Sequence, residues 1–203
     1  MSTEDPAPTE REIMEATFDA LTEHGYGDLT IQSIADQFEK SKSLLYYHYD
    51  GKEELLADFL EYTLEEFVEQ TLVDDAPPVE QLASLIDLLF PETIDDDHFR
   101  VQIALLELRA QAPHTEQYRE RFTAIDRTLA ERVESILERG MADGTIRDVD
   151  PTLEAELFVS MVVGIQSRRL TTDEFRIERS RAAVREHVRR RLLAPGAGNG
   201  ALG

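Results

Sequence analysis

The only three lysines in this 203-residue chain, Lys40, Lys42 and Lys52, fall within one short window, KSKSLLYYHYDGK, residues 40–52. Between them stand the hydroxyls of Ser41, Ser43, Tyr46 and Tyr47 and the imidazole of His48. Groups of these kinds donate to phosphate oxygens and to the acceptor edges of bases. The window is net +2 in a chain of formal charge −21, with 42 acidic residues against 21 basic ones. A polyanion is the partner that fits, because phosphate neutralisation dominates nucleic-acid affinity. Other chemistries fit less well. The five histidines (24, 48, 98, 114, 187) have no zinc-ligand spacing, there is no cysteine, and neither a G-x-S-x-G nor a P-loop occurs. Asp95-Asp96-Asp97-His98 has metal-ligating side chains, but acids opening a helix in an anionic chain account for it better. The terminal Gly198-Asn199-Gly200-Ala201-Leu202-Gly203 matches G-x-G-x-x-G by letter, with no strand before it. The chain is expected not to be an enzyme, with no cofactor and no resident metal.

The elements that must position this window are helical. Apolar periodicity is that of α-helix nearly throughout, with no alternating strand pattern, so the fold class is all-α with about nine helices. Thr9 caps a first helix bearing Ile13, Phe18 (with Thr17) and Leu21, ended by Gly25. Thr30 caps a short helix with Ile31, Ile34, Ala35 and Phe38 inward. After a break at Glu39-Lys40, a third short helix spans about 41–48, and Asp50-Gly51 turns the chain into a long helix from Lys52 to about Val73. Two short helices across a tight break form a helix-turn-helix, whose second member enters the DNA major groove. Positions 45 and 49 share one face, leaving 42, 43, 46 and 47 outward. Asp74-Asp75-Ala76-Pro77-Pro78 interrupts the pattern. Further helices are predicted to Phe90, over 98–111, from Pro113 to Met141, from Pro151 to Leu170 and over 174–193. Residues 1–52 are thus expected to form an N-terminal DNA-binding domain, 53–193 a C-terminal helical bundle for ligand binding and dimerisation, and 194–203 a disordered tail.

The stretches Gly25-Tyr26-Gly27-Asp28-Leu29-Thr30-Ile31-Gln32-Ser33-Ile34-Ala35, Ser41-Lys42-Ser43-Leu44-Leu45-Tyr46-Tyr47-His48-Tyr49 and Lys52-Glu53-Glu54-Leu55-Leu56 resemble the N-terminal domain of TetR/AcrR-type transcriptional regulators. The resemblance covers about 50 residues. It implies an all-helical homodimer, usually a repressor, released from operator DNA by a small ligand held in the C-terminal domain. It also implies that Thr30, Tyr46, His48 and Lys52 meet phosphates. Gln32, Lys42, Ser43 and Tyr47 would reach base edges or the thymine methyl, and Leu45 and Tyr49 would anchor the recognition helix. Three positions depart from the family pattern: Glu39 stands where Gly is usual at the turn, Lys40 where Val is common, and Leu44 where Thr or Ser meets a phosphate.

In the C-terminal region, Leu157–Ile165 is apolar almost all round, so its helix needs neighbours on two sides. One side fits its own core and the other a second subunit, with Gly164 allowing close approach. The last helix carries seven arginines (176, 179, 181, 185, 189, 190, 191) and the apolar positions Ala183, Val184, Val188 and Leu192. These two helices are read as an isologous four-helix dimer interface, with the arginines paired to the acidic bulk. A membrane-surface helix is disfavoured, since its apolar side has no Trp or Phe. Candidate ligand-binding residues are Phe59, Tyr62, Phe99, Gln102, Ile103, Leu106, Tyr118, Phe122, Met161 and Gln166. Such a lining suits a hydrophobic or amphipathic effector, oriented by the two glutamines. The partners expected are therefore a double-stranded palindromic operator, a small effector and a second copy of the chain. The alternative is a dimeric helical small-molecule-binding protein whose helix-turn-helix no longer reads DNA.

Arginine outnumbers lysine 18 to 3 and acids dominate, a composition that suits concentrated salt, where the Debye length falls to ~3 Å at 1 M. The chain is expected to be halophilic and cytoplasmic: it opens with an acidic segment lacking an apolar stretch, and its longest apolar run is too short to span a bilayer. Residues 1–52 alone carry a net −7, so long-range attraction to DNA is weak. Base-edge contacts and shape fit should supply most of the affinity. The slope of log K against log salt should therefore be shallow in a titration by fluorescence anisotropy. A slope near that of basic repressors, which lose ~10³–10⁵ in affinity over a fourfold salt rise, contradicts this.

Overall fold

Caps and turn residues set where each helix begins and ends. The computed structural model describes residues 8–38, 42–71 and 76–197. Among them the chain forms α1 (Pro8–Asp28), α2 (Ile31–Gln37), α3 (Lys42–His48), α4 (Lys52–Thr71), α5 (Pro78–Leu89), α6 (Asp96–Gln111), α7 (Glu116–Ala142), α8 (Pro151–Thr171) and α9 (Ile177–His187), with a closing π-helical turn (Val188–Leu192). No strand occurs among the described residues, where an isolated bridge joins Ile146 and Leu193. The all-α reading therefore stands. No helix among these residues is long and apolar enough to cross a membrane.

Thr30 begins α2 through a reciprocal capping box: its side chain accepts from the Ser33 N–H, and the Ser33 hydroxyl accepts from the Thr30 N–H. Asp95 caps α6 by accepting from the His98 N–H at 2.8 Å, so the acidic run here opens a helix. Asp150 caps α8 ahead of Pro151. Three starts differ from expectation. Thr9 lies inside α1, which already includes Pro8, and so does not cap it. Residues 112–115 form a turn around Pro113, and α7 begins only at Glu116. Glu174 has φ 55°, a left-handed conformation that a helix cannot contain, so α9 starts at Ile177 and not at 174. The predicted tail is held at its start, where Ala194 donates its N–H to Thr145 O at 2.9 Å. Residues 198–203 lie outside the described residues, as do Glu39, Lys40 and Ser41.

The described residues fall into two compact units. The first combines α1–α3, residues 52–67 of α4, α6 and residues 116–123 of α7. Its core includes Ile13, Met14, Leu21, Leu29, Ile34, Leu45, Leu55, Leu56, Phe59 and Leu60, with Ala104, Leu108 and Tyr118. Within it α1 packs on both α2 and α6. The α1–α6 seam is pinned by Arg100 Nη1 donating to Thr22 O at 2.9 Å and by an edge contact of the Phe18 and His98 rings at 5.9 Å. The second unit combines α5, residues 124–142 of α7, α8, α9 and the π turn. Val79, Leu82, Ile86, Phe90, Ile136, Leu137, Phe158, Val184, Val188 and Leu192 are buried there. Of the four apolar positions predicted on the last helix, Val184, Val188 and Leu192 are buried. Ala183 is exposed, one residue off their shared line.

Gly25 sits inside α1 with φ 66° and ψ 171°, a conformation essentially restricted to glycine. A Cβ at Gly25 or at Gly27 would meet nothing within 4 Å. Gly25→Ala should therefore lower the unfolding free energy by ~1–3 kcal/mol through backbone strain alone. Gly27→Ala, with no positive φ, should be neutral or slightly stabilising. Urea denaturation of the two variants checks this, and equal effects would show that Gly25 does not set the bend.

Candidate nucleic-acid interface

Helix α3 is anchored from beneath. Leu45 has no exposed surface and Tyr49 is 8% exposed, while Tyr47 on the opposite face is 83% exposed and Tyr46 46%. Burial first, and the Asp58 carboxylate second, hold the Tyr49 hydroxyl protonated far above its usual range. Lys42, Ser43 and His48 are exposed, and Leu44 is half-buried. Ring contacts run from Tyr47 to His48 (5.5 Å, edge-on) and from His48 to Tyr49 (6.4 Å). The outward set expected from the i,i+4 pattern is thus presented on one face of a helix whose other face is buried.

Helix α2 adds Thr30 and Gln32, both exposed. The Tyr46 hydroxyl donates to Gln32 Oε1 at 3.0 Å, and Gln32 Nε2 donates to Asp36 Oδ1 at 3.0 Å. The Lys42 ammonium donates to that same Asp36 oxygen. Hydrogen bonds from Lys42 and then Gln32 hold the Asp36 carboxyl below its ordinary range. Asp36 was not among the sequence candidates. Its i,i+4 spacing from Gln32 was readable, but its contact with Lys42 joins two separate helices, α2 and α3, and was not.

Lys52 opens α4, as the Asp50-Gly51 turn predicts. Its ammonium donates to Leu29 O at 3.0 Å and lies 3.4 Å from Tyr26 O, with Nζ 4.8 Å from the centroid of the Tyr26 ring. The side chain therefore ties the start of α4 to the end of α1 and to Leu29 just before α2. Burial and Glu53 raise the Tyr26 hydroxyl above its ordinary range. The sequence pattern suggested only a phosphate partner for this lysine.

Eight of the ten candidate ligand residues belong to the first unit. Phe59, Tyr118 and Phe122 are buried, Tyr62, Gln102, Ile103 and Leu106 are half-buried, and Phe99 is 37% exposed. Among the described residues, the buried Gln102 Oε1 has no hydrogen-bond partner. Burial pushes the Tyr62 hydroxyl up to about 12, assisted by its hydrogen bond to Glu66 at 3.0 Å. Met161 and Gln166, both half-buried, belong to the second unit. In that unit five of the last helix's arginines find acids: Arg181 with Asp87 and Glu92, Arg185 with Asp87, Arg191 with Glu154, and Arg189 and Arg190 with Glu186.

Comparison with known proteins agrees with this geometry. Residues 13–59 match a family described as bacterial regulatory proteins, tetR family, and residues 78–193 match one described as BetI-type transcriptional repressor, C-terminal. A TetR transcription regulator from Haloarcula marismortui is similar in structure, with a TM-score of 0.82, 34% identity, and coverage of 91% of this chain and 98% of that one. A transcriptional regulator from Saccharomonospora viridis in complex with choline has the same fold, with a TM-score of 0.77 and 18% identity, covering 91% and 97% of the two chains. A fatty acid metabolism regulator protein from Bacillus subtilis is 24% identical over 168 residues, covering 81% of this chain and 83% of that protein. This chain therefore belongs to the TetR family and is a DNA-binding, ligand-responsive transcriptional repressor, not an enzyme.

Proposed function

We propose that the chain acts as a homodimer on a palindromic operator, reading each half-site with α3 and releasing it when a small hydrophobic or amphipathic effector binds. The observation that carries this reading is the exposed Tyr47 standing over the buried Leu45 and Tyr49. Gln32, Lys42, Ser43 and Tyr47 are assigned to base edges, and Thr30, Tyr46, His48 and Lys52 to phosphates. For Lys52, contact with a phosphate requires its ammonium to share or leave the Leu29 carbonyl. Half-sites about one helical turn apart suit a two-fold dimer.

Dimerisation is assigned to α8 and α9. Leu153 and Leu157, 67% and 44% exposed, lie on the outward face of α8 with Ser160 and Gly164. The opposite face buries Ala155, Phe158, Val159 and Val162. Open space around Gly164 leaves room for the backbone of a second α8. The effector assignment draws on the aromatic and aliphatic residues of α4, α6 and α7 named above and on the buried, unpartnered Gln102 Oε1, which a ligand donor would satisfy. The Bacillus subtilis relative, a regulator of fatty acid metabolism, supports an acyl-bearing effector. Release can travel through α6, which carries Gln102 and packs on α1. High-salt adaptation is part of the proposal and is supported by the acidic, lysine-poor composition.

Two measurements check the assignments. Tyr47→Ala and Lys42→Ala should each cost ~1–3 kcal/mol of discrimination between operator and unrelated duplex, with dimerisation intact by sedimentation. Retained discrimination in both variants favours the alternative, a dimeric ligand-binding protein with a silent helix-turn-helix. Leu157→Glu places a charge on the exposed apolar face and should yield folded monomers with much weakened operator binding. A dimer that survives this change moves the interface elsewhere.

A further inference from the structure

An acid has no obvious place on a face that must approach a polyanion, yet Asp36 sits in the middle of it. Its side chain is 55% exposed and that of Lys42 is 53% exposed. The hydrogen bonds form one chain: Lys42 to Asp36, Gln32 to Asp36, and Tyr46 to Gln32. An ionised carboxylate only accepts, so the Gln32 carboxamide must turn its nitrogen toward Asp36 and its oxygen toward the Tyr46 hydroxyl. One N–H and one lone pair of Gln32 are left over, in a fixed orientation, and Lys42 keeps further N–H donors. An exposed ion pair of this kind contributes little to folding. Its consequence falls on binding. A lysine paired with a carboxylate is electrostatically neutral as a unit, so it neutralises no phosphate and releases no counterion.

We propose that Asp36 is a specificity-determining residue of this repressor, holding Lys42 and Gln32 in position for base edges and withholding the Lys42 charge from phosphates. This rests on the reading of α3 as the DNA-facing helix. Asp36 lowers total affinity and raises the ratio of operator to random-sequence binding. In an acidic protein adapted to salt, it converts one of only three lysines from a charge into a directed donor.

The test uses full-length wild type, Asp36→Asn, and Asp36→Asn combined with Lys42→Gln. The probes are a duplex selected from a randomised pool by the wild-type protein and a random-sequence duplex of equal length. Asp36→Asn should bind the random duplex more tightly and steepen its log K against log salt slope by about 0.9 per bound protomer. Its preference for the selected duplex should fall about tenfold, the scale of one lost base discrimination. The double variant should return the slope to the wild-type value. An unchanged slope and preference in Asp36→Asn overturn the proposal, as does an equal weakening on both duplexes, which would make Asp36 a support of the fold. If the wild type selects no sequence at all, the DNA-facing assignment of α3 fails first, and this proposal fails with it; that outcome is visible in the wild type alone.

Discussion

Helix α3 has seven residues, and a helix that short has no independent stability in water. The burial of Leu45 and Tyr49 against the first unit is what holds it, and the α3 residues assigned to DNA (Lys42, Ser43, Tyr46, Tyr47 and His48) depend on that packing. With 45 and 49 inward, the 3.6-residue period forces 42, 43, 46 and 47 outward. The α2 capping box and the Gly25 bend place α2 alongside, and Lys52 ties the next helix to the segment before α2. The interface is thus a rigid by-product of a small core, the support a recognition surface needs if its hydrogen bonds are to be directional.

Electrostatics then decide how such a surface can work. The chain is strongly anionic, and residues 1–52 as a whole carry more acids than bases. A charge-driven encounter is unavailable to it, and salt would weaken one further. What the surface offers instead is geometry: an aromatic hydroxyl, a carboxamide, a carboxylate and an ammonium joined by hydrogen bonds on neighbouring helices. Residues 1–52 hold a single arginine, Arg11, whereas residues 176–191 carry seven of the chain's 18, and Arg181, Arg185, Arg189, Arg190 and Arg191 are matched there with Asp87, Glu92, Glu154 and Glu186.

Much of this was legible in the sequence because it is local. The apolar period gave the helices, Thr30 marked its own cap, Pro151 marked the first turn of α8, and the Leu45/Tyr49 spacing fixed the outward face. Starts that depend on one residue's dihedrals were misjudged. Glu174 adopts a left-handed conformation and delays α9, and the turn around Pro113 extends to Thr115. Contacts across a turn were invisible to periodicity, which is why Asp36 and the carbonyl partners of Lys52 escaped notice. The association of α6 with α1, far apart in sequence, was likewise unreadable, since α6 carries only a weak apolar stripe. Its buried Val101, Ala104 and Leu108 gain meaning only from the partners that the fold brings to them.

The central claim is that the exposed face of α3 lies in the major groove of the operator. Photocrosslinking from a photoreactive phenylalanine analogue at position 47 to a duplex selected by the protein tests it most directly. Crosslinks should map to bases at two places about 10 base pairs apart, one per protomer, and vanish when the protein is released. Stable binding to the duplex with no crosslink from position 47, alongside crosslinks from a control position on another helix, would contradict it.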